Sequence, residues 1–90
     1  MMDPSSRFHI PGTVAARTLG DEVVILDLVS GTYYGLDDCG KRIWDLLSEG
    51  RSISEACEVL LVEYDAGAET VRTDVQRLAS ELLNRKLIAL

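Results

Sequence analysis

Few residues in this chain have the type and spacing for acid–base, nucleophilic or metal chemistry. The single histidine, His9, stands beside Phe8 and Pro11 in a polar N-terminal stretch. A catalytic or metal site needs several such groups converging on one point. The carboxylates Asp37, Asp38, Asp45, Glu49, Glu55, Glu58, Glu63 and Asp65 are instead spread over helix starts and solvent faces. Solvation and the helix dipole account for them there. Cys39 and Cys57 fit neither a metal nor a redox spacing, and two buried free thiols are expected. Gly31, Gly35 and Gly40 form no phosphate-binding loop and serve turn geometry instead. The expectation is a protein that is not an enzyme and holds no metal or cofactor.

What remains is the hydrogen-bonding chemistry of the backbone. Thr32-Tyr-Tyr-Gly-Leu36 reads as a short strand with one side paired and the other open. An incoming extended peptide can add to such an edge as a further strand. Tyr33 and Tyr34 point to opposite faces, because strand side chains alternate, so one joins the core and the other can meet a ligand. A helix lying alongside would floor the groove. Val71, Val75, Leu78 and Leu82 are its candidate apolar pockets, with Asp74, Arg77 and Glu81 selecting charge at the rim. Each of those apolar residues has an equal claim to being ordinary core.

The elements that position this edge follow from periodicity. Residues 1–12, with Pro4 and Pro11, read as a loose arm ahead of a domain spanning 13–90. Thr13 to Leu19 can be a strand, Gly20-Asp21 a turn, and Glu22 to Val29 the strongest strand of the chain. Ser30-Gly31 turns the chain into the third strand, making an antiparallel meander. After Leu36 the period changes from two to 3.6. Asp37 or Asp38 caps a first helix with Cys39, Ile43, Leu46 and Leu47 on one face, Trp44 at its border and Gly50 as its stop. Ser52-Ile-Ser-Glu55 is a capping box for a second helix, whose stripe is Ile53, Ala56, Cys57, Leu60, Leu61 and Tyr64. A third helix spans 68–85, and the apolar tail from Leu87 to Leu90 should pack back on the body. Strands followed by helices define an α+β class, here a winged-helix-like domain with a three-stranded antiparallel sheet followed by three helices.

Composition narrows the partners. Ninety residues make one small domain, and the net charge of −6 opposes nonspecific binding to nucleic acid or to an anionic membrane. A winged-helix DNA-binding regulator is the alternative, with the third helix reading DNA through Arg72, Arg77, Arg85 and Lys86. Those cations alternate with Glu69, Asp74 and Glu81 at ion-pair spacing, which favours a solvated face. No secretory signal or membrane span is visible, so a cytoplasmic protein is expected. Open strand edges permit a monomer or a weak homodimer.

The ordered set Val23-Val-Ile-Leu-Asp-Leu28, Gly31-Thr-Tyr-Tyr-Gly-Leu36 and Gly40-Lys-Arg-Ile-Trp-Asp-Leu-Leu47 resembles the PqqD-like proteins. So does the closing pattern Asp74-Val75, Leu78, Leu82-Leu83 and Leu87-Ile88. These are the precursor-peptide recognition elements of ribosomally made, modified peptides. The chain resembles in particular their free-standing representatives in lasso-peptide biosynthesis, from about residue 13 to residue 90. The resemblance implies a winged-helix fold that binds a precursor's leader region as an added strand between the third strand and third helix. It also implies delivery of that leader to a leader peptidase or another modifying enzyme. Strand contacts then fall on Thr32, Tyr33, Tyr34 and Gly35, and helix contacts on Val71, Asp74, Val75, Leu78, Arg77 and Glu81. The chain departs from the family pattern at Asp37-Asp38, where many relatives have Asn-Pro. It departs again at Gly67-Ala68, where a stronger cap and a proline are common.

Overall fold

A computed structural model describes residues 3–90. Its elements are β1 (Val14–Leu19), β2 (Glu22–Asp27), β3 (Tyr33–Leu36), α1 (Asp38–Ser48), α2 (Ile53–Glu63) and α3 (Ala68–Asn84). The sheet is antiparallel with order β1-β2-β3, so β2 is central and β1 and β3 are edges. This is the expected α+β order.

Gly20, at φ 63°, occupies the first central position of the two-residue β1–β2 turn, where a right-twisting hairpin favours a residue without a Cβ. The second connection is wider than a Ser30-Gly31 turn. The Asp27 carboxylate accepts from the amides of Val29 (3.0 Å) and Ser30 (3.4 Å), which ends β2 at Asp27 and starts β3 at Tyr33.

Val23 and Ile25 turn their side chains inward, and the helices cover them. The core is completed by Ile43, Trp44, Leu46 and Leu47 of α1, Ile53, Ala56 and Leu60 of α2, and Val75, Ala79 and Leu82 of α3, together with Leu87 and Ile88 of the tail. Ser52 caps α2 through a full capping box, whereas Gly67 gives α3 no side-chain cap. Leu61 and Tyr64, expected on the buried stripe of α2, are partly exposed. Tyr64 leaves helical geometry as the C-cap, and Leu61 falls outside the buried set Ile53, Ala56, Cys57 and Leu60 of α2.

The N-terminal segment corrects the expectation of a loose arm; Met1 and Met2 lie outside the described residues. Phe8 is buried in the core, His9 and Ala89 exchange backbone hydrogen bonds, and the Pro4 carbonyl accepts from Ser54. Arg7 donates to both carboxylate oxygens of Glu55 (2.7 and 3.1 Å) and to the Gly50 carbonyl. These ties were invisible in sequence because each pairs residues remote along the chain. Arg7, followed by the Ser52 amide, pulls the Glu55 carboxyl down from 4.5 to about 2. A depressed carboxyl contributes stability that is complete above its unfolded value and is lost as pH falls through the folded one. Glu55→Gln should therefore melt below wild type at pH 7, with the difference closing between about pH 4.5 and 2. Thermal melts of both proteins across that range check this, and a gap independent of pH would contradict it.

Candidate strand-edge groove

The register of the sheet decides which backbone groups of β3 are free. The Asp27 amide donates to the directly opposed Thr32 carbonyl (2.9 Å), which marks a hydrogen-bonded pair. Such pairs alternate along antiparallel strands. Tyr34 and Leu36, opposite Ile25 and Val23, therefore direct their backbone groups at β2. Tyr33 and Gly35 direct one N–H and one C=O each at the open edge. By the same rule β1 turns alternate groups away from the sheet, but among the described residues no helix or other strand packs beside that edge, and Ala16 and Thr18 are exposed.

The β3 edge faces a cleft. No Cα of β3 comes within 8 Å of one in α3, so the two backbones stand apart and only side chains bridge the gap. A cavity of about 510 Å³ opens between them, lined by Tyr34, Gly35 and Leu36 of β3 on one side, Asp74, Arg77 and Leu78 on the other, and the start of α1 at its end. A second cavity of about 220 Å³ continues the cleft past Tyr34 toward Thr32 and Arg85. Tyr34 borders both. Its ring is half-buried and lies 4.7 Å from the Arg85 guanidinium, a cation–π contact that holds the phenol across the cleft. Burial, and then the carboxylate of Glu81, push the Tyr34 phenol up, so it stays a neutral donor at ordinary pH.

The expected site residues separate into groups. Tyr34, Gly35, Asp74, Arg77 and Leu78 meet around the larger cavity, and Thr32, Tyr33 and Tyr34 around the smaller. Tyr34 is the tyrosine that turns toward the core, while Tyr33, 76% exposed, lies on the outer sheet face. Glu81 is half-buried, within 4.0 Å of Arg85. Val71 borders a small apolar cavity of about 150 Å³ beyond Cys39. Val75 and Leu82 are corrected: both are 0% exposed and belong to the core beneath the groove. The apolar stripe of α3 is wider than the cleft: Val71 and Leu78 are core residues as well, 7% and 6% exposed, but each still lines a cavity.

Sequence reasoning missed the end wall of the cleft. Asp37, Cys39, Gly40 and Ile43 line it, although the sequence pattern assigned Asp37 to capping, Gly40 to turn geometry and Cys39 and Ile43 to the core. Cys39 is therefore exposed, whereas Cys57 is buried as expected; both are free thiols. The signal was the lack of any loop between strand and helix. Asp37 caps α1 through its bond from the Gly40 amide (2.9 Å) directly after β3, so the first helical turn has to sit at the end of the strand. Two of the candidate cations pair locally, Arg77 with Asp74 (3.9 Å) and Arg85, at the C-cap of α3, with Glu81 (4.0 Å). Among the described residues, no helix is long and apolar enough to cross a membrane.

Fold and site together define a small winged-helix-like scaffold with an unpaired strand edge set beside a helix-lined groove. The family model for PqqD, coenzyme PQQ synthesis protein D, matches residues 22–88, and the chain belongs to that family. Among solved structures it is similar to TbiB1 in complex with the TbiA(beta) leader peptide. That protein is 39% identical with a TM-score of 0.83, over 89% of this chain and 93% of that one. It is also similar in fold to a lasso peptide synthetase B1 complexed with its leader peptide, at 22% identity and a TM-score of 0.86, over 94% of this chain and 100% of that one. No curated protein sequence matches.

Proposed function

We propose that this protein is a non-catalytic recognition element that takes the leader region of a ribosomally made precursor peptide, of the lasso class, as a fourth strand on β3. The observation that carries this is the coincidence of free backbone groups at Tyr33 and Gly35 with the cleft between β3 and α3. The similarity to two leader-bound proteins supports it. Thr32, Tyr33, Tyr34 and Gly35 supply the strand, and Asp74, Arg77, Leu78 and Glu81 the opposite wall, with Val71 at its far end. Peptide side chains opposite Tyr34 and Leu36 point into the cleft, because neighbouring strands share the alternation of faces.

The energies require both parts. Holding a leader at ~1 μM needs about −8 kcal/mol. The free edge groups of Tyr33 and Gly35 net roughly 1 kcal/mol per hydrogen bond, against the ordering of the peptide. One or two inward leader side chains must add about 1.5–3 kcal/mol each.

Delivery to a leader peptidase or other modifying enzyme needs a second surface. The sheet face turned away from the helices presents Leu19, Val24 and Leu26 beside a cavity of about 370 Å³. Tyr33, opposite Leu26 in the register, makes this face continuous with the β3 edge. An enzyme docked there would lie next to a bound leader, and exposed apolar patches of this kind mark interaction sites.

Fluorescence anisotropy with the leader and core halves of the precursor encoded beside this gene tests the reading. Saturable micromolar binding of the leader alone is expected, and no binding by the folded protein would contradict it. Leu26→Lys should bind leader as wild type does, yet slow processing by the partner enzyme at least about tenfold, the loss of about 1.4 kcal/mol of docking. Unchanged processing would exclude this face as the docking surface.

A further inference from the structure

Resting on the strand-addition reading, we propose that the groove selects its peptide by an ordered pair of charges. A cation sits toward the N-terminal end of the bound segment, and an anion follows about five residues later.

The net charge of the walls changes along the cleft. At the end formed by the start of α1, Asp37 and Asp38 are exposed, and Asp74 of α3 borders the same cavity as Asp37. Their fields overlap: after burial, these three carboxylates are what raise the Cys39 thiol. The cation at this end, Arg77, approaches Asp74 only to 3.9 Å and is itself largely exposed, so it neutralises little of the cluster. The other end holds Arg85 over the Tyr34 ring, with Lys86 next in the chain. Two carboxylates stand there. Asp27, engaged by the amides of Val29 and Ser30, and Glu81, 4.0 Å from Arg85, offset these cations in formal charge, so the contrast along the cleft rests on the net acidity of the α1 end and on Arg85 itself.

Direction then converts position into sequence. Asp74 faces the C-terminal end of β3 and Arg85 its N-terminal end, so α3 and β3 run oppositely. A peptide added antiparallel to β3, the better-bonded arrangement, runs from the acidic end to the Arg85 end. From Asp74 to Arg85 the helix rises about 16 Å at 1.5 Å per residue. An extended strand covers that in about five residues.

A display library of short random peptides, panned on the folded protein and sequenced, tests this. Binders that Gly35→Pro fails to retain define the groove-bound set. Within that set, Lys or Arg should be enriched about five positions N-terminal to Asp or Glu. Exchanging the two charges in a synthetic binder should weaken it about tenfold, equivalent to 1.4 kcal/mol. The double variant Asp74→Lys, Arg85→Glu should abolish that preference, with circular dichroism confirming its fold. Groove binders with no charge order, or an exchange without effect, overturn the charge rule and leave strand addition standing. No binders at all from folded protein overturn both.

Discussion

Gly35→Pro is expected to fold and to lose the leader peptide. Proline removes one N–H and places its ring on that side of the backbone. At Gly35 that side is the open edge, so no bond to β2 is lost, and proline is tolerated on edge strands in this orientation. A Cβ built at Gly35 meets nothing within 4 Å. An added strand must lie about 4.8 Å away, where the ring now stands. The leader also loses a donor, and a carbonyl left unpaired in a desolvated groove costs about 1–3 kcal/mol. Together these effects should weaken binding about 100-fold or more, equivalent to at least about 2.7 kcal/mol. Anisotropy against wild type measures the loss, and a thermal melt shows that the fold survives. A folded Gly35→Pro protein that binds normally would place the leader elsewhere.

Val75→Asp is expected to unfold the protein outright. The side chain is 0% exposed beneath the groove, packed in the core with Ala79 and Leu82 of the same helix. A carboxylate there has neither water nor a cation, and burying it costs several kcal/mol even after it takes up a proton. A chain of this size holds about 5–13 kcal/mol in total at roughly 0.05–0.15 per residue. Loss of the cooperative melt by circular dichroism is the expected result. A near-native melt would mean that Val75 opens onto the cleft and contributes to the ligand surface after all.

These two positions show how far sequence could be read. The strand Tyr33–Leu36, the capping box at Ser52-Glu55 and the stop at Gly50 were legible because each signal is local: alternation, a cap or a turn residue. Periodicity also identified the apolar stripe of α3. It could not divide that stripe, since Val75 and Leu78 are three residues apart on one face. Only the standoff between α3 and β3 decides that one is floor and the other foundation. Cys39 was misjudged for a related reason, because its helix faces the core along most of its length but the cleft in its first turn. The docking of Arg7, Phe8 and His9 left no local signal, as their partners Glu55 and Ala89 lie far along the chain. The edge groove itself was legible in outline, because a meander ending in a short strand leaves that strand unpaired on one side.

Amide hydrogen exchange by NMR, with and without leader peptide, addresses strand addition most directly. Binding should strongly protect the Tyr33 and Gly35 amides, which now face the open edge, and leave Ala16 and Thr18 on the β1 edge unchanged. Protection on β1, or leader binding with Tyr33 and Gly35 still exchanging freely, would contradict the account.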